Sequence, residues 1–237
     1  IFLIYAPVAI VLLLASCVPH FRARNIGAVA LVLWLLIINA MNFINHIIFF
    51  KSAEDLAPGW CDIVVKVMAT QQTGLSAASL CINRRLALIS SSKRVSAETS
   101  TRLAPWVDIV IVVLPSAFVM LLSYFVQGHR YNIIEELGCM SATYWEKEAV
   151  LGLLVLPLVL GLASFGYGAL SIYNFTSQRR RFQHLLQQNS SSLNSSRFLR
   201  LLAVSGADMF LTVPTLIFNI VWQVQNLLPT QDWADLH

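Results

Sequence analysis

The side chains of this sequence that could do chemistry lie inside long apolar runs. They form two stripes at helical spacing: Asn39, Asn42 and His46 in one run, and Lys66, Thr70 and Thr73 in the next. Residues three or four apart lie on the same face of a helix. Amide, imidazole, hydroxyl and ammonium groups on such a face can line a polar cavity that binds a ligand, or can hydrogen-bond neighbouring helices. The spacing leaves both interpretations open.

The run that carries Lys66 is the most polar of the apolar runs. It also contains a second polar stripe, formed by Gln72, Ser76, Ser79 and Asn83. Because polar groups that face lipid without a partner are costly, we expect this helix to lie at the centre of a bundle. Asp62 precedes Lys66 by four residues, which predicts an ion pair near the end of the helix.

Three further residues inside apolar runs are candidates for a conformational switch between helices. Asp108 and Asp208 are ionisable, and such residues within a membrane usually have a function. Their expected partners are basic residues at neighbouring helix ends: Arg84, Arg85 and Arg200. Such an ion pair can be a latch that breaks when helices move, or a static contact. Pro214 predicts a kink in the last run that would enlarge a small movement.

Patterns typical of enzymes are absent from the sequence. It contains no HExxH, GxSxG or P-loop pattern and no CxxC pair. Those patterns carry many recognisable metal, nucleophilic and nucleotide-binding sites. We therefore expect a protein that is not an enzyme and needs no cofactor.

Composition indicates the class of protein that holds these residues. Of the 237 residues, 57% are hydrophobic and 12% are charged, whereas soluble domains carry about 25% charged residues. The six apolar runs that are long enough to cross a membrane as helices are Ile1–Val18, Ile26–Phe50, Ile63–Asn83, Pro105–Val126, Ala149–Tyr173 and Leu201–Leu228. The predicted fold is an all-α, polytopic transmembrane helix bundle over residues 1–228.

Basic residues divide unequally among the loops between these runs. Twelve Lys and Arg lie in the odd-numbered loops, and three lie in the even-numbered loops and the tail. Because cytoplasmic loops are enriched in Lys and Arg, we expect the odd-numbered loops inside and the N-terminus outside. The net charge of +4 then reflects topology, and no nucleic-acid partner is expected.

Six spans with both ends outside would be an unusual layout for a complete protein. A seventh span beyond His237 would return the C-terminus to the cytosol, as in seven-span receptors, and residues 229–237 would be an extracellular segment leading to it. Six spans also suit a membrane transporter or channel fragment, which is the alternative function. Paired internal repeats would favour that alternative, and the sequence shows none.

The expected topology also sorts the four cysteines. Cys61 and Cys139 fall on the outer, oxidising side, whereas Cys17 and Cys81 fall near inner helix ends. A Cys61–Cys139 disulfide is therefore expected, and it would tie the second outer loop over the third helix as a lid. Two free outer thiols are the alternative.

The inner segment Asn174–Arg200 carries no acidic residue and five arginines: Arg179, Arg180, Arg181, Arg197 and Arg200. It could dock an acidic cytoplasmic partner, or it could contact the anionic lipid of the inner leaflet. The segment also contains three glycosylation sequons, at Asn174, Asn189 and Asn194. Because the segment is expected inside, these asparagines should be unmodified.

Four short segments carry a family resemblance through their order and topological positions. They are Pro19–Asn25 in the first inner loop, Gly59–Ile63 entering the third span, Arg130–Cys139 in the second outer loop and Ser196–Leu201 entering the sixth span. Through them the chain resembles the fungal lipopeptide mating-pheromone receptors, the a-factor receptor type of the class D G-protein-coupled receptors. The resemblance extends through nearly all of the chain.

This resemblance implies a plasma-membrane receptor that binds a prenylated peptide pheromone, activates a heterotrimeric G protein and is compatible with homo-oligomers. The ligand-cavity candidates are Asn39, Asn42, His46, Lys66, Thr70, Thr73, Glu135 and Glu136. The candidates for facing the G protein are Arg84, Arg85, Arg179, Arg180, Arg181, Arg197 and Arg200. The switch candidates are Asp108, Asp208 and Pro214.

Overall fold

Long helices dominate the computed structural model, which describes residues 2–23, 25–50, 54–90, 104–135, 137–143, 145, 147–182, 203, 206, 210 and 213–222. The elements are α1 (Phe2–Arg22), α2 (Ile26–Ile48), α3 (Pro58–Ser90), α4 (Ala104–Phe125), β1 (Asn132–Ile134), β2 (Gly138–Met140), α5 (Lys147–Val150), a π-helical turn (Leu151–Val155), α6 (Leu156–Phe182) and α7 (Val213–Trp222). The helix-bundle fold predicted from the sequence is confirmed. The short hairpin β1–β2 was not predicted.

Four stretches are long and apolar enough to cross a membrane: Tyr5–Arg22, Ile26–Ile48, Pro105–Phe125 and Lys147–Ser177. They correspond to the first, second, fourth and fifth predicted runs. The sixth run is described in part, and its apolar helix covers Val213–Trp222. Large apolar side chains such as Leu12 on α1, Leu121 on α4 and Phe165 on α6 are more than half exposed. An outward apolar surface of this kind suits a lipid environment.

Helix α3 is the axis of the bundle, as its polarity predicted. It packs against α2, α4 and α6, and its buried polar residues are Thr70, Thr73, Ser76, Ser79, Asn83 and Ser90. The helix continues seven residues beyond the predicted end at Asn83. The sequence analysis ended the run at the charges of Arg84 and Arg85, but these residues extend the helix toward an acidic partner on α4.

Two glycines allow α2 and α3 to approach closely. The indole of Trp34 on α2 lies against Gly74 on α3, where any side chain would collide with it. At Gly27 on α2, an added Cβ would come within 2.9 Å of the Ile82 backbone nitrogen on α3. Small residues at helix crossings are a common means of close packing in membranes. This contact fixes the position of α2, which carries one of the polar stripes.

Candidate functional site

The segment between α4 and α5, predicted as the second outer loop, folds as a β-hairpin that is anchored to the end of α2 and the start of α3. Strands β1 and β2 pair antiparallel, with Ile133 opposite Cys139. Gly138 turns the chain with a φ of +82°, and a Cβ there would lie 2.8 Å from the side chain of Asn45 on α2. Gly satisfies both demands because it tolerates positive φ and occupies no side-chain space. The hairpin is therefore held close to the helices beneath it.

A disulfide anchors the hairpin covalently. Cys61 on α3 bonds to Cys139 on β2 with their Cα atoms 5.3 Å apart, which confirms the predicted pairing. Both cysteines are buried in an apolar cluster with Phe49, Val64 and Val65. The described inner-side cysteines, Cys17 and Cys81, are free thiols.

Asn45 is a second anchor, and the sequence analysis missed it. Its side chain is 2% exposed. Its Oδ1 accepts a 2.8 Å hydrogen bond from the Trp60 indole nitrogen, and its Nδ2 donates to the Leu137 carbonyl at 3.5 Å. One amide thus links α2, α3 and the hairpin. The available signal was an amide directly beside the predicted stripe, in a run otherwise apolar enough to face lipid.

Replacing Asn45 with leucine should destabilise the protein by roughly 1–3 kcal/mol, because Trp60 and Leu137 lose partly buried hydrogen bonds. Leucine has the same number of side-chain heavy atoms and the same branching, and it cannot form either hydrogen bond. The thermal midpoint of the purified protein in nanodiscs measures the effect. Asn39→Leu is the matched control, since Asn39 donates to the Leu35 carbonyl of its own helix. Equal shifts for the two variants would contradict the bridging role of Asn45.

The predicted Asp62–Lys66 ion pair is wrong. Asp62 instead pairs with Arg130 of the outer loop, through Nε to Oδ1 at 2.9 Å and Nη2 to Oδ2 at 2.7 Å. The Lys66 ammonium donates to the Gln127 side chain at 2.6 Å and to the Ser123 carbonyl at 3.0 Å. A bidentate guanidinium–carboxylate contact contains two charge-assisted hydrogen bonds, so it stabilises the carboxylate more than a single lysine contact does. The local spacing could not reveal a partner 68 residues away.

The Asp62–Arg130 pair holds the hairpin over a wide pH range. The Arg130 hydrogen bond keeps the pKa of Asp62 below its usual value of 3.8. The contribution of this carboxylate is therefore complete above pH 3.8 and is lost only as the pH falls below that value. Because both side chains are well exposed, salt should weaken the pair.

The other ligand-cavity candidates divide into buried and half-buried groups. Thr70 and Thr73 are buried in the bundle, and Thr70 donates to the Lys66 carbonyl of its own helix. Thr73 Oγ1 has no hydrogen-bond partner among the described residues. Asn39, Asn42 and His46 are half-buried on α2, and the His46 ring meets Phe50 edge-on at 5.9 Å. Glu135 is exposed on the hairpin, and Glu136 lies outside the described residues.

An ion-pair cluster joins α3 and α4 at the end of the bundle opposite the hairpin. Asp108 is 1% exposed. Its Oδ2 lies 2.9 Å from Arg85 Nε, and its Oδ1 lies 3.6 Å from Arg84 Nη2. These contacts are the ones expected from the sequence. Nearby, the Asn83 amide donates to the hydroxyl and the carbonyl of Ser164 at 2.9 and 3.2 Å, which joins α3 to α6.

The remaining predicted residues lie on α6, on α7 or beyond the described part. Arg179, Arg180 and Arg181 lie in the last turns of α6. Pro214 lies in α7 and is exposed. Asp208, Arg197 and Arg200 lie outside the described residues.

Comparison with known proteins places this arrangement in a family. The pheromone B beta 1 receptor of Schizophyllum commune is 34% identical over 240 residues, covering 98% of this chain and 44% of that receptor. Pheromone receptor 1 of Mycosarcoma maydis is 31% identical over 237 residues, covering 98% and 66%. The pheromone a factor receptor of Saccharomyces cerevisiae is 27% identical over 225 residues, covering 92% and 47%.

The chain spans between 34% and 66% of the length of these and similar curated relatives. No solved structure matches it. The family model described as pheromone A receptor matches residues 1–237. The chain, a multi-pass membrane helix bundle with a disulfide-anchored hairpin, belongs to the pheromone A receptor family.

Proposed function

We propose that this chain binds a prenylated peptide pheromone on its outer side and activates a heterotrimeric G protein on its inner side. The observation that carries the proposal is the hairpin fixed across the outer ends of α2 and α3 by Cys61–Cys139 and Asn45. In the proposed receptor, the ligand binds between this hairpin and the helices. Membership of the pheromone A receptor family makes a pheromone the natural occupant.

The chemistry beneath the hairpin suits a ligand with a peptide part and a lipid part. Polar groups of α2, such as Asn42 and His46, lie half-buried near the end of the helix beneath the hairpin and can bind peptide groups. Phe49 and Val64 are buried below the hairpin, with Met41 and Met68 partly buried against them. Methionine-rich apolar surfaces adapt to flexible hydrocarbon, so this region fits a prenyl chain.

The end of the bundle opposite the hairpin carries the groups that would pass the effect of pheromone binding to the G protein. We assign the Asp108–Arg85 pair to the resting arrangement, where it holds α3 to α4. A pheromone that binds the active arrangement more tightly shifts the population toward it, and the pair then opens. The basic end of α6, with Arg179, Arg180 and Arg181, is a surface for an acidic region of the G protein. Binding of pheromone and activation of a G protein are the roles of a receptor, so no catalytic activity is proposed.

The same account places the receptor in the plasma membrane with an outer N-terminus, so the inner sequons should carry no glycan. Replacing Asn174, Asn189 and Asn194 with glutamine should leave the electrophoretic mobility of the full-length receptor unchanged, both before and after treatment with a glycosidase. The control is Ser141→Asn, which creates an Asn-Ala-Thr sequon in the outer loop at an exposed position and should add a removable glycan. A glycan at Asn174, Asn189 or Asn194 would contradict the topology.

Binding tests the ligand class directly. Membranes that carry the full-length receptor should bind a fluorescent prenylated pheromone peptide saturably, and the unlabelled prenylated peptide should compete. The same peptide without its prenyl group should compete at least about a hundredfold less well, because burying a long hydrocarbon contributes roughly 0.8 kcal/mol per CH₂. Equal competition by the two peptides would overturn the lipid requirement.

A further inference from the structure

Three charged side chains meet where the hairpin contacts the first turns of α3. The Arg130 guanidinium donates hydrogen bonds to both carboxylate oxygens of Asp62, from Nε and Nη2. Lys66 lies one helical turn deeper, and the two hydrogen-bond acceptors of its ammonium, Gln127 and the Ser123 carbonyl, are neutral. These three side chains are two cations and one carboxylate, and the carboxylate is engaged by the cation of the hairpin. A second carboxylate, Asp55, lies beside them and accepts a 2.8 Å hydrogen bond from the Tyr131 hydroxyl.

Asp62 and Lys66 have the geometry to pair with each other. They are four residues apart on one helix, with the acid toward the N-terminus, which is the favourable order for an ion pair. The Lys66 charge also acts on Asp62, since it adds to the larger effect of Arg130 in lowering the pKa of that carboxyl. A rotation of the lysine side chain would be enough to bring the two groups together once Arg130 leaves.

Gln127 couples the lysine to the hairpin. Its Oε1 accepts from Lys66 at 2.6 Å, and its Nε2 donates to the Arg130 carbonyl at 2.6 Å. If Lys66 turns toward Asp62, Gln127 loses the contact that orients it, and the backbone of Arg130 loses support. The departure of the guanidinium and the movement of the lysine therefore favour each other.

We propose that Asp62 is a charge switch that pairs with Arg130 when the hairpin is seated and with Lys66 when the hairpin lifts to admit the ligand. The inference rests on the proposed function, since it describes how the same outer site opens. Each state keeps one ion pair for Asp62, and lifting also breaks the hydrogen bond between Tyr131 and Asp55. The disulfide and Asn45 stay in place, and the Arg130–Tyr131 end of the hairpin moves about them.

Hydrogen exchange tests the switch without any ligand. The full-length receptor in nanodiscs is compared with its Arg130→Gln variant and with the Arg130→Gln/Lys66→Gln double variant. Arg130→Gln should speed exchange of the β1 and β2 amides at least about threefold, because the seated state is weakened. The double variant should exchange more slowly than Arg130→Gln alone, because the lifted state then loses its Asp62–Lys66 pair.

If Lys66 has a purely structural role, the double variant should exchange faster than Arg130→Gln alone, which is the opposite of the result expected for the switch. If Lys66 only holds Gln127, losing it would speed exchange further in the double variant, and that result would overturn the proposal. Unchanged exchange in Arg130→Gln would overturn it as well. Lys66 is replaced with glutamine because glutamine keeps a hydrogen-bond donor for Gln127 while it removes the charge.

The response to pheromone provides the second arm. With a prenylated peptide that activates the wild-type receptor, Lys66→Gln should raise the half-maximal concentration about tenfold. In an Asp62→Asn background the same change should shift it less than about twofold, as expected for residues that act through one another. Equal shifts in the two backgrounds would refute the switch. A wild-type receptor that ignores every prenylated peptide would refute the proposed function, and the exchange arm would still decide the switch.

Discussion

Replacing Asp108 with asparagine is expected to raise ligand-independent signalling about tenfold. The Asp108 carboxylate is buried between α3 and α4 and accepts a charged contact from Arg85 at 2.9 Å. A hydrogen bond to a charged group contributes roughly 1.5–3 kcal/mol, and a change of about 1.4 kcal/mol shifts a two-state equilibrium tenfold. Removing the charge should therefore release part of the resting population. Basal reporter output per receptor at the cell surface measures the effect.

The two arginines should differ in this assay. Arg85→Gln should mimic Asp108→Asn, because Arg85 Nε makes the short contact. Arg84→Gln should change basal output less than about threefold, because its nearest nitrogen is 3.6 Å from the carboxylate and ion-pair energy falls with distance. If Asp108→Asn lowers surface expression without raising basal output per receptor, the pair is a static support and not a latch.

Replacing either Cys61 or Cys139 with serine should cause the same large loss of surface receptor and of pheromone response. The bond closes a loop with a sequence separation of 78 residues, and removal of a native disulfide typically costs about 2–5 kcal/mol. It also frees the hairpin that covers the outer site. Surface receptor and the maximal response are measured together for each variant.

The double variant Cys61→Ser/Cys139→Ser should be no worse than either single variant, because one bond is lost in every case. Cys17→Ser is the control, since Cys17 is a half-buried free thiol on α1. A silent single substitution would contradict a structural role for the bond. A double variant much worse than both singles would show that the thiols act separately.

Properties of the fold that depend on composition and compartment could be predicted from the sequence. The polarity of α3 requires a central position in a bundle, and the structure places it there. The Cys61–Cys139 bond was expected from the predicted topology, and the structure contains it. Asp108 pairs with Arg84 and Arg85, the basic residues that directly follow the most polar apolar run.

Properties that depend on contacts distant in the chain could not be predicted. Asp62 has a suitable lysine one turn away, yet it pairs with Arg130 because the hairpin brings a guanidinium to it. Asn45 looks like a neighbour of the polar stripe, and only the positions of Trp60 and Leu137 show that it joins three elements. Strands β1 and β2 are three residues each, too short for an alternating pattern to indicate them.

The response of the full-length receptor in a reporter cell tests the central claim most directly. Synthetic pheromone peptides would be applied in prenylated and unprenylated forms, with surface expression confirmed by an outer tag. The account predicts a dose-dependent G-protein response that requires the prenyl group. A response that is equal without the prenyl group, or silence across a broad panel of prenylated peptides at normal surface expression, would contradict it.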